Sequence, residues 1–113
     1  MTLHEAMFKV KHDCPFGTIS GKYPSARIFK WYNPDNDVIE ILARNSKERL
    51  AVIKELSTLA DVLREHSDGA RTHLVMTRRR WTLKNSVTAN IEAFNLLQIP
   101  PEVYEKGWEY FHV

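Results

Sequence analysis

The sequence predicts an α+β fold, a mainly antiparallel sheet with helices packed on one face and a hairpin at the C-terminal end. Three observations lead there. "ARIFKWYNPDNDVIEILAR" holds two apolar, β-rich runs separated by Asn, Pro and Asp, residues that bond their own backbone or fix a turn. From Asn45 onward, apolar residues recur at steps of three and four, the spacing of one helical face. "VYEKGWEYFHV" then repeats the hairpin pattern around Glu105-Lys106-Gly107.

In chain order, "EAMFKVKH" alternates, with Phe8, Val10 and His12 on one side and Met7, Lys9 and Lys11 on the other, which predicts a strand over about residues 5–12. Cys14-Pro15 ends it. The next twelve residues, "PFGTISGKYPSA", carry two glycines and two prolines and predict a turn with one helical turn around Thr18 to Gly21. The first hairpin follows, with arms Ala26–Tyr32 and Val38–Ala43 and Pro34 fixing the turn.

A helix capped by Asn45 or Ser46, with Glu48 in its first turn, presents Leu50, Ile53, Leu56, Ala60 and Leu63 as its apolar stripe. Its pattern runs to "HSDG", where Gly69 reads as the stop. "RTHLVMTRR" predicts a strand over residues 72–77, and "NSVTANIEAFN" a second helix with Val87, Ile91 and Phe94 on one side. "LLQIPP" opens the last strand region, which Pro100 and Pro101 interrupt or confine to an edge. Strands interleaved with helices in this order fit a ferredoxin-like or ACT-like arrangement.

A chain of 113 residues fits one domain, and 43% hydrophobic with 27% charged residues is enough apolar material for a core. The start "MTLHEAMFKVKHD" lacks a signal-peptide layout and no apolar run approaches membrane-spanning length, so a cytoplasmic protein without a membrane partner is expected. Sixteen basic against fourteen acidic residues leave +2, far from the balance of a domain that holds nucleic acid by charge alone. One cysteine excludes an internal disulfide.

Few residues suggest chemistry. His12 and Cys14 stand two apart and are both possible soft-metal ligands, but neither a CxxC nor an HxxxH pattern supports them, and a small thiol beside a strand end explains Cys14 as well. No nucleophile elbow, phosphate-cradling loop, HExxH or dinucleotide fingerprint is present. Neither an enzyme nor a cofactor is expected. "RRRWTLK" sets Arg78, Arg79, Arg80 and Lys84 around Trp81, a mixture able to hold phosphates and stack bases. Alternation along a strand would split those arginines between two faces, so a solvated strand end competes with a nucleic-acid site. Aromatic residues are plentiful beyond the needs of a one-faced sheet, and Phe29, Trp31, Trp108 and Tyr110 are the candidates for a ligand pocket or interface, with His12 and Cys14 beside them.

"KHDCP", "SARIFKWYN", the acidic turn with "VIEI", and "IPPEVYEKGWEYFHV" together resemble the N-terminal domain of archaeal helix-turn-helix regulators of the bacterio-opsin activator type. The shared pattern is a basic-His-x-Cys-Pro start and a Pro-Pro-x-x-Tyr-x-x-Gly-Trp-Glu element. The resemblance implies a sensor or association domain that precedes a DNA-binding domain. On that basis residues 1–113 are expected to be a single regulatory domain, cut from a longer chain, that reaches DNA only through a missing C-terminal helix-turn-helix domain. A small-molecule effector and a homo-oligomer are the expected partners. The alternative is a stand-alone ferredoxin-like ligand- or nucleic-acid-binding domain using the arginine cluster.

Overall fold

A computed structural model describes residues 4–11, 14–33, 35–77, 91 and 93–113. Strands β1 (Met7–Val10), β2 (Arg27–Tyr32), β3 (Asn36–Leu42), β4 (Val62–Asp68), β5 (Arg71–Thr77), β6 (Glu102–Glu105) and β7 (Trp108–His112) form one sheet, and helices α1 (Pro15–Lys22) and α2 (Ser46–Leu59) accompany it. The strand order is β1-β7-β6-β2-β3-β5-β4, with every neighbouring pair antiparallel. The α+β class and the antiparallel sheet are as expected. No helix among the described residues is long and apolar enough to cross a membrane.

Period-two alternation divides the sheet into two faces. Ile28, Ile39, Ile41, Leu74, Met76 and Tyr104 point to one face and are fully buried against Phe16 and Ile19 of α1 and Val52 and Leu56 of α2. Phe29, Trp31, Val75, Val103, Trp108 and Tyr110 point the other way and stay half-buried. Both described helices therefore serve one face.

The hairpin turns follow their local chemistry. Asn33 Oδ1 accepts from the backbone amides of Asp35 and Asn36 at 2.9 and 2.8 Å, closing the β2–β3 loop. Pro34, expected to set that turn, lies outside the described residues. Lys106 and Gly107 both have positive φ, 52° and 85°, the primed two-residue turn whose twist suits antiparallel strands. At the head of α2, Asn45 Oδ1 accepts from the Glu48 amide at 3.1 Å, so the expected cap is Asn45.

Three expectations need correction. The first concerns "PFGTISGKYPSA", where α1 makes two turns rather than one despite Gly17 and Gly21. Burial of Phe16 and Ile19, with the Phe16 ring 5.3 Å from that of Tyr104, outweighs the weak helix propensity of glycine. Gly21 lies against the β6–β7 turn, where a Cβ would stand 3.4 Å from the Gly107 backbone, in van der Waals contact.

The second concerns α2, which ends at Leu59 rather than at "HSDG". Ala60 is extended, and residues 62–68 pair with β5 as an outer strand, Gly69 supplying positive φ for the turn between them. A strand already offering hydrogen-bonding groups at β5 captures a segment whose spacing also suits a helix. Of the expected stripe, Leu56 is buried and Ile53 and Ala60 pack against the core, whereas Leu50 is 63% and Leu63 55% exposed and Val52, outside the stripe, is fully buried.

The third is the first strand, which is shorter than expected, residues 7–10. "LLQIPP", expected to open the last strand region, forms no strand: β6 begins at Glu102, beyond the cis Pro100–Pro101 bond, and lies inside the sheet between β7 and β2 rather than at an edge. The second helix expected over "NSVTANIEAFN" falls mostly outside the described residues.

Candidate functional site

Two parts of the sheet combine features that a purely structural core does not require. One is the aromatic face, the side of the sheet opposite α1 and α2. Cross-strand register aligns Phe29 with Val103 and Val103 with Tyr110, while Trp31 lies opposite Val38. The Phe29 and Trp31 rings stack at 6.5 Å, and Lys9 Nζ sits 4.4 Å from the Trp108 ring centroid. Phe29, Trp31, Trp108 and Tyr110, chosen from composition, thus share one face. Ion pairs border them, Arg27 with Glu105 at 2.7 Å and Arg71 with Glu40 at 3.3 Å.

The other part is a polar cluster buried on the helix side. Lys30 Nζ stands 3.2 Å from Glu102 Oε2, whose side chain is 1% exposed. Gln98 Nε2 donates to Glu102 Oε1 at 2.7 Å and the Tyr104 hydroxyl to Glu102 Oε2 at 2.6 Å, while the same hydroxyl lies 3.0 Å from Glu109 Oε1. Tyr32 donates to Gln98 Oε1 at 3.1 Å, tying the cluster to the far end of β2. Lys30 also lies 4.7 Å from the centroid of the Phe16 ring.

The electrostatics follow from this packing. Burial disfavours the Lys30 ammonium, but the charges of Glu102 and Asp37 outweigh it and hold the amine protonated beyond its ordinary range. Burial likewise opposes the Glu102 carboxylate, and the Lys30 charge with hydrogen bonds from Tyr104 and Gln98 overrides it, lowering its pKa. Tyr104 is pushed well up by burial and by the two carboxylates, so it stays a neutral donor. The cluster is a hydrogen-bonded network in which one ammonium, Lys30, faces the Glu102 carboxylate and the Tyr104 hydroxyl bridges Glu102 and Glu109.

Cys14 does not join the aromatic face. It precedes α1 and packs against the core, where burial and the Glu109 charge raise its thiol pKa. A raised thiol is the reverse of an activated nucleophile. His12, its expected companion, and Arg78, Arg79, Arg80, Trp81 and Lys84 all lie outside the described residues. Among the described residues no three His, Cys, Asp or Glu side chains converge as a metal set.

Sequence reasoning missed Lys30, Glu102 and Glu109. Their alternation with apolar neighbours looked like the polar side of a strand, and only the phase of the flanking isoleucines in β2 and β3 marks Lys30 as inward. Residues on β6 and β7 share that phase only through the sheet pairing.

Neither the curated proteins nor the solved structures contain a match to this chain. A family model does match, over residues 5–113, nearly the whole sequence. The chain belongs to the archaeal domain family described as HVO_A0563, N-terminal.

Proposed function

We propose that residues 1–113 form the non-enzymatic regulatory domain of a DNA-binding transcription regulator, acting through self-association and the sensing of a small ligand. The observation that carries this reading is the open sheet face, on which Phe29, Trp31, Val38, Val103, Trp108 and Tyr110 lie opposite the face that both described helices cover. Half-buried aromatic side chains on such a face suit a partner or ligand, because covering them removes apolar area from water. Helices on one side and an open face on the other are also the plan expected of a ferredoxin-like or ACT-like sensor. Further support comes from the family description, which is that of an N-terminal domain, and from the resemblance to bacterio-opsin activator-type regulators.

An effector or second copy that prefers one arrangement of this face would reposition an attached DNA-binding domain, to the extent of its differential affinity for the two arrangements. The endogenous protein provides the test. Its intact mass should exceed 13.2 kDa by enough for a helix-turn-helix domain, and promoter fragments should co-purify with it. A 13.2 kDa product that retains no DNA overturns the regulator reading.

A further inference from the structure

The sheet ends in two edges of different character. β1 is short, four residues, and carries Lys9, both of which discourage pairing with another chain. β4 has seven residues, with no proline and no lysine, and Leu63 to Asp68 are all exposed. Its inner side is paired with β5, and among the described residues no strand occupies its outer side. A shift between Val62 and Arg64 disturbs the pairing at one end, leaving Arg64-Glu65-His66-Ser67-Asp68 as the regular stretch. That stretch carries both signs of charge.

We propose that the outer edge of β4 pairs antiparallel with β4 of a second copy, joining two seven-stranded sheets into one. This inference rests on the self-association part of the proposed function and names its surface. For two copies related by a two-fold axis normal to the sheet, residues facing each other must lie on the same face, so the axis passes through a residue rather than between two. Centred on Glu65 or on Arg64, the pairing sets a charge against its own copy. Centred on Ser67, it leaves Arg64 opposite Ala70. Centred on His66, it places Arg64 opposite Asp68 of the second copy, and by symmetry Asp68 opposite that copy's Arg64, with Glu65 opposite Ser67. Both cross-strand charge pairs are then attractive.

This register also explains the edge's composition. Charges protect an edge when like meets like, yet here signs and spacing make the strand complementary to itself and to little else. Arg64, His66 and Asp68 lie on the same side of the sheet as Phe29 and Tyr110, through the pairings His66–His73, His73–Glu40 and Glu40–Phe29. Joining the edges would therefore lay two open aromatic faces side by side as one continuous surface.

The test is sedimentation equilibrium on the 113-residue chain and on Arg64→Asp, Asp68→Arg and the double variant, with far-UV circular dichroism to establish that each folds. The wild type should dimerise, each single variant should weaken the dimer about tenfold or more, and the double variant should restore it. An equimolar mixture of the two single variants should form a heterodimer, because one copy then carries two acidic and the other two basic residues at the facing positions. A single variant that dimerises with wild-type affinity overturns the β4 edge as the interface and leaves self-association standing. A wild type that remains monomeric up to about 1 mM overturns self-association itself.

Discussion

Lys30 Nζ lies 3.2 Å from Glu102 Oε2 beneath helix α1, a buried ion pair between neighbouring strands β2 and β6. Each partner compensates the burial of the other. Replacing Lys30 by Met leaves the Glu102 carboxylate without its counter-ion, and an uncompensated buried charge costs about 3–5 kcal/mol. Urea denaturation of Lys30→Met should show that loss. Adding Glu102→Gln should recover a substantial part, because the isolated charge is then gone; a double variant no more stable than the single would show that the pair is not what stabilises this end of the sheet.

The same pair sets the pH profile. Glu102 titrates below the ordinary glutamate value of 4.5 when folded, so its contribution is present in full above 4.5 and lost as pH falls through the folded value. Lys30 is raised above 10.5, so its contribution is full below 10.5 and lost as pH rises through the folded value. Thermal unfolding should accordingly show a plateau between about pH 5 and 10, with a loss on each side. In Glu102→Gln the acid limb should be shallower.

Adjacent residues on β2 should respond differently. Ile28 is fully buried on the helix side, and Ile28→Ala should cost about 2–5 kcal/mol. Trp31, on the open face and half-buried, should cost less than half as much when replaced by Ala despite its larger size. Equal losses in chemical denaturation would mean that the open face is packed as tightly as the core.

Gly107 should tolerate no side chain cheaply. Its φ of 85° lies where L-residues rarely sit, and the turn also backs onto Gly21 of α1. Gly107→Ala should destabilise by about 1 kcal/mol or more through backbone strain, whereas Lys106→Asn, which keeps a residue tolerant of positive φ, should be nearly neutral. The two midpoints in urea make the comparison.

Cys14 should be a slow thiol. Burial and the Glu109 charge favour its protonated form, so iodoacetamide at neutral pH should modify the folded protein at least about tenfold more slowly than the protein in denaturant. Faster modification in the folded state would mean that the fold activates this thiol rather than suppressing it.

Much of this could be read from the residues. The β2–β3 hairpin, the Asn45 cap and the Lys106-Gly107 turn depend on neighbours within a few positions, and local hydrogen bonding and φ preference determine them. The common face of Phe29 and Trp31 likewise follows from alternation along one strand. For Trp108 and Tyr110, alternation places them together but cannot say which side of the sheet they share with Phe29.

What the sequence by itself determined, then, is the set of short-range decisions: α+β composition, hairpin turns, the start of α2 and the aromatic surplus. Tertiary structure decided the rest. Residues 62–68, which continue the helical spacing in sequence, pair with β5 as strand β4. Lys30, Glu102 and Glu109 became one buried cluster because strands far apart in sequence were brought into register, supplying the charges and hydrogen bonds without which burial would exclude them. Such choices rest on which groups are left unsatisfied after the other elements have formed, a quantity that exists only once the chain has folded.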